Sequence, residues 1–80
     1  MWFWKEKTSE DYLKEATKQM QRGDFNRTIG YCDQAIQLSP YHFEALTLRG
    51  DAKRCLGDYI GALADLNQVL AYVPDQPIAL

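Results

Sequence analysis

His42 is the only histidine in the chain, and Cys55 lies 13 residues after it. A thiol nucleophile needs a base to activate it, so these two side chains are the first to test for covalent chemistry. The helical pattern set out below puts His42 in a turn and Cys55 near the end of the following helix. That separates them by about 20 Å at 1.5 Å per residue. His42 then reads as a surface residue and Cys55 as a small side chain, and catalysis from the pair is not expected. Cys32 falls on an apolar helical stripe and reads as a small hydrophobe. The carboxylates are scattered, as if capping helices or facing water, with no CxxC or HExxH spacing to hold a metal. Gly50, Gly57 and Gly61 are spread along a helical hairpin and cannot cradle a phosphate. The residues therefore predict no enzyme activity, no metal and no cofactor.

Positioning any other kind of site falls to the elements, and composition bounds what these can be. Eighty residues allow one small domain. Hydrophobic residues make up 46% of the chain and charged residues 25%, with a mean hydropathy of −0.43. This is a soluble globular balance, too apolar for a disordered tail. No run approaches the ~20 apolar residues of a membrane span, and none near the start reads as a signal peptide. Nine Lys and Arg stand against eleven Asp and Glu, for a net charge of −2. With neither half basic, a nucleic-acid partner has almost no electrostatic support. Two cysteines are too few for a disulfide-stapled secreted domain, so a reducing, cytoplasmic setting is expected.

Shifting the chain by 34 residues superposes Gly23-Asp24-Phe25 on Gly57-Asp58-Tyr59 and Pro40 on Pro74. Five of the 34 aligned pairs are identical, but the apolar pattern agrees far better than the letters. Ile29 meets Leu63, Cys32 meets Leu66, Ala35 meets Val69 and Ile36 meets Leu70. Each unit reads as two helices. The second of each pair carries a stripe expected to be buried: Phe25, Ile29, Cys32 and Ile36, then Tyr59, Leu63, Leu66 and Leu70. The first helices have weaker stripes, Tyr12, Ala16, Gln19 and Met20 in one unit and Leu46, Gly50, Lys53 and Arg54 in the other. Gly23 and Gly57 suit a left-handed helix end, Asp24 and Asp58 suit N-caps, and a proline closes each unit. Helices are predicted at 9–22, 25–38, 42–56 and 59–72. The organisation is an N-terminal aromatic segment over 1–8, units at 9–42 and 43–76, and the start of a third at 77–80.

A 34-residue helix pair with a small residue in its first helix, Gly-Asp-aromatic at its turn and a closing proline resembles the tetratricopeptide repeat. The small residues are Ala16, Thr28 and Ala35 in one unit and Gly50, Ala62 and Val69 in the other. Glu15, Arg49, Gln19 and Lys53 depart from the family pattern and are expected to loosen the first-helix core. The resemblance implies an all-α fold, an α-α superhelix (solenoid) of antiparallel helix pairs. It also implies a non-catalytic protein-protein interaction module, binding a peptide or protein segment in a concave groove lined by the first helices. Carried over by position, that groove comprises Leu13, Thr17, Met20, Gln21, Glu44, Thr47, Leu48, Asp51, Arg54 and Cys55, with Glu10 beside them. The same faces read equally well as ordinary solvated surface. With Arg54 beside Asp51 and Glu44 the groove reads as mixed in charge. Family members that clamp the C-terminal carboxylate of heat-shock chaperones use Lys and Asn where this chain has Leu13, Thr17, Leu48 and Ile78, so that ligand is not expected.

Trp2-Phe3-Trp4 is the segment that the repeat does not explain. Exposed aromatics of this kind need cover. They can cap the open end of the first unit, join a self-association or partner contact, or meet a membrane interface, although membrane contact is not expected from so few residues. Leu70, Tyr72 and Val73 at the other end are the matching candidates for a cap or a homo-oligomer contact. Two units and a stub are fewer than a solenoid ordinarily needs for stability. Either the ends are covered, by the aromatic segment or a second copy, or the chain is a piece of a longer protein.

Overall fold

The computed structural model describes residues 6–72, with Tyr72 described at its backbone only. Trp2, Phe3, Trp4, Val73, Pro74, Ile78, the side chain of Tyr72 and the 77–80 stub lie outside the described residues. Four helices account for the chain between: α1 (Ser9–Gln21), α2 (Phe25–Leu38), α3 (Phe43–Cys55) and α4 (Tyr59–Tyr72). No strand occurs among the described residues, and no helix there is long and apolar enough to cross a membrane.

The helices start and stop where local chemistry tells them to. Thr8 and Asp11 form a capping box at the head of α1, each side chain bonded to the other's backbone N–H. Gly23 and Gly57 take positive φ values of 79° and 88°, conformations that a Cβ would strain. Both hairpin turns then close identically. Gly23 N–H donates to the Met20 carbonyl and Asp24 N–H to that of Gln19; Gly57 and Asp58 do the same to Arg54 and Lys53. This is the paired bonding of a Schellman motif. The aspartate also serves the next helix, because Asp24 accepts from Arg27 N–H at 3.1 Å and Asp58 from Gly61 N–H at 2.9 Å. One residue thus ends one helix and begins another.

Each helix packs on its neighbour in the chain, and α1 also meets α3. Ser9 Oγ, at the start of α1, donates to the Ala35 carbonyl near the end of α2, so these two run antiparallel. Among the four helices sits a core of short side chains: Ala16, Cys32, Ala35, Ala45, Leu46 and Ala52 are fully buried, joined by Thr28, Gly50 and Ala62. Small residues let the helix axes approach closely, and Leu46 is the largest side chain buried completely. A Cβ added at Gly50 would stand 3.4 Å from the Ala62 carbonyl oxygen and from Asp65 Cβ. There is room for one methyl group and no more. Gly50→Ala is expected to raise the thermal midpoint, since alanine is favoured in a helix by about 1 kcal/mol. Gly50→Leu should lower it, overpacking costing about 1–3 kcal/mol. A fall for the alanine variant would mean that the helices cannot give even a few tenths of an ångström.

The second unit departs from expectation on its outer side. Tyr59, Leu63, Leu66 and Leu70, expected to be buried, are 67%, 58%, 37% and 62% exposed. The reason lies in the packing order. Helix α2 is sandwiched between α1 and α3, whereas α4 packs only on α3 among the described elements.

Candidate functional site

The first helices of the two units stand side by side and flank an open hollow of about 370 Å³. Leu13 and Thr17, one turn apart on α1, form one wall. Phe43, Glu44, Thr47, Leu48 and Asp51 form the other, all on one side of α3. Leu13, Phe43 and Leu48 are half-buried and supply its apolar surface, while Glu44 stands exposed at its edge. The Thr17 hydroxyl donates to the Leu13 carbonyl at 2.9 Å, so it faces the hollow as an acceptor only. Asp51 is met only loosely by Arg54, at 3.8 Å. Two other hollows, along α2 (Arg27, Gly30, Tyr31, Gln34) and at the head of α1 (Glu6, Lys7, Asp11, Lys14, Glu15), are each walled by one helix and its approach. Of these three hollows, the one between α1 and α3 is built by two helices.

Six residues assigned to a groove from sequence line this hollow: Leu13, Thr17, Glu44, Thr47, Leu48 and Asp51. Met20, Gln21, Arg54 and Cys55 do not; they stand at the C-terminal ends of α1 and α3. Phe43 was missed, although its spacing of four and five residues from Thr47 and Leu48 puts it on the same face. Of the cap or contact candidates at the far end, Leu70 is 62% exposed.

On the other side of α3, Arg49 binds Asp65 of α4 through two parallel bonds, Nε to Oδ2 at 2.9 Å and Nη2 to Oδ1 at 2.7 Å. Its Nη1 reaches Asp33 of α2 at 2.7 Å, and Lys53 Nζ adds a contact of 3.2 Å to Asp65. Asp65 is only 3% exposed. Burial pushes its carboxyl pKa up, but the hydrogen bonds and charges of Arg49, then Lys53, outweigh this and hold it below the usual carboxylate range. Arg49 is shifted above its ordinary value, chiefly by its bond to Asp65. Two expectations are thereby corrected. Arg49 and Lys53 do not loosen the first-helix core but tie three helices together, and Asp65 neither caps a helix nor faces water.

His42 is no surface residue either, its side chain being 9% exposed. Nδ1 accepts the Ala45 amide proton at 3.2 Å and caps α3, and Nε2 lies 2.8 Å from Glu10 Oε2. Glu10, His42 and Glu44 bring three potential metal ligands within 4.8 Å, a cluster hidden from any spacing rule because two helices supply it. The hydrogen bonds argue against a metal there. With Nδ1 accepting, the ring proton sits on Nε2 and is given to Glu10, so no nitrogen lone pair faces the carboxylates. His42 and Cys55 occupy opposite ends of α3. The Cys32 thiol, buried in the core, has its pKa pushed up to about 12 by desolvation, which keeps it protonated and unreactive at neutral pH.

No protein-family model matches the chain, and no solved structure matches it significantly. It is similar to a rat (Rattus norvegicus) protein described as FK506-binding protein-like, being 46% identical over 43 residues, or 54% of this chain and 12% of that protein. A mouse (Mus musculus) protein of the same description is 36% identical over 63 residues, 79% of this chain and 18% of the relative. The chain spans less than a fifth of the length of either of these curated relatives.

Proposed function

We propose that the chain is a module of tetratricopeptide-type helix pairs that binds a peptide or protein segment in the hollow between α1 and α3, with no catalytic role. One observation carries this reading. The two repeat-related first helices present Leu13, Thr17, Glu44, Thr47, Leu48 and Asp51 around a single concavity. The identical Gly-Asp turns and the buried small residues at Ala16, Thr28, Ala35, Gly50 and Ala62 support the repeat assignment. In the two relatives the similar stretch is a small part of a longer chain, as befits an attached interaction module. Cys32 and Cys55 are both free thiols, which suits a cytoplasmic setting. Amide chemical-shift mapping with a display-selected peptide tests the proposal. Shifts are expected at Leu13, Thr17, Thr47, Leu48 and Asp51, and Leu48→Arg should abolish them. Shifts confined to α4 would overturn it.

A second reading, self-association, is favoured by the apolar outer side of α4, where Tyr59, Ile60, Leu63 and Leu70 are all more than half exposed. Light scattering over a wide concentration range decides it: a stable monomer removes this reading.

A further inference from the structure

We propose that the hollow between α1 and α3 selects a basic-aliphatic segment, an extended stretch with Lys or Arg on both sides of an aliphatic side chain; this rests on the peptide-binding reading above. The charged residues lining the hollow are both acidic, Glu44 and Asp51, and no Lys or Arg lines it. This corrects the mixed charge expected from sequence, since Arg54 stands outside the lining and meets Asp51 only at 3.8 Å. A pair so long and exposed yields readily to a better-placed cation. At the other end, Glu10 adds a second carboxylate beside Glu44. His42 donates to Glu10 through a single oxygen, which leaves the other oxygen free to accept.

The floor between these carboxylates is apolar, made by Leu13, Phe43 and Leu48. Glu44 and Asp51 are two turns apart on α3, about 10 Å along its axis. A ligand in the extended polyproline II conformation rises about 3.1 Å per residue with three residues per turn, so cations three positions apart share one side and span about 9 Å, close to that interval. The aliphatic residue between them is rotated away from both cations and meets the apolar floor. An acidic ligand would instead bring its charges against three carboxylates.

Fluorescence anisotropy with three labelled peptides on the full chain tests this. The peptides share one aliphatic core and are flanked by Lys, by Glu or by Ser, three positions apart. The Lys peptide is expected to bind best, by about tenfold over the Ser peptide, with the advantage shrinking in high salt. The double variant Glu44→Gln, Asp51→Asn should remove that advantage, so that the Lys and Ser peptides bind it alike. The control variant Glu6→Gln, Glu15→Gln, outside the hollow, should change nothing. Circular dichroism verifies that each variant keeps its helices. Equal or tighter binding of the Glu or Ser peptide overturns the charge selection but leaves the groove standing. Equal loss in the control variant also overturns it, by showing attraction to the whole acidic surface. Failure of all three peptides overturns the groove reading with it.

Discussion

Arg49→Met is expected to lower the unfolding free energy in urea by about 3 kcal/mol, the range found when one partner of a buried ion pair is removed. A chain of this size has roughly 4–12 kcal/mol in total, so the variant approaches the edge of folding. The effect is large because of what stays behind. Asp65 would keep only Lys53, at 3.2 Å, inside an environment in which it is 3% exposed. Asp33, whose side chain is 53% exposed, would be rehydrated at little cost. The pH dependence follows with a definite sign. Asp65 titrates lower in the folded chain than in the unfolded one. Its contribution is therefore present above the unfolded carboxylate pKa and is lost as the pH falls through the folded value. Arg49→Met should flatten that acid limb as well as lower the plateau. A loss within about 0.5 kcal/mol, the range usual for surface substitutions, would show that the cluster is no more than a surface pair.

The second large effect is expected at Leu46, where truncation to alanine should cost about 2–5 kcal/mol. Leu46 is fully buried, and its companions in the core are mostly alanines. Alanine has no rotamer to swing into a void, so the cavity stays open and the upper half of the range applies. Leu63→Ala serves as the comparison. Leu63 is 58% exposed on the outer side of α4, and its truncation should change stability by less than about 0.5 kcal/mol. Urea midpoints for the two variants separate these outcomes, and equal losses would mean that the outer side of α4 is covered in solution.

Those two leucines also mark how far the sequence could be read. Periodicity told which residues share a helical face, and the helices at Ser9–Gln21, Phe25–Leu38, Phe43–Cys55 and Tyr59–Tyr72 lie close to the predicted spans. It could not tell what stands against that face, which is why the stripe on α4 was misjudged while the equivalent one on α2 is largely covered. Most of the hollow was legible because residues three and four apart on one helix share a side. The charge cluster was not. Asp33, Arg49 and Asp65 succeed each other at intervals of 16 residues on three helices, and no local spacing rule joins them. His42 escaped notice for a different reason, since histidine is outside the usual set of capping residues and its burial depends on Glu10 of another helix.

The Gly-Asp turns have a kinetic consequence. Their bonds span only a few residues, and packing runs mainly between helices adjacent in the chain. The contact order is therefore low, and chains of that kind fold in microseconds to milliseconds. Each hairpin can nucleate at its own turn without waiting for a distant partner. Only when α3 settles on α2, and Arg49 finds Asp33 across that seam, do two fast local events become one molecule.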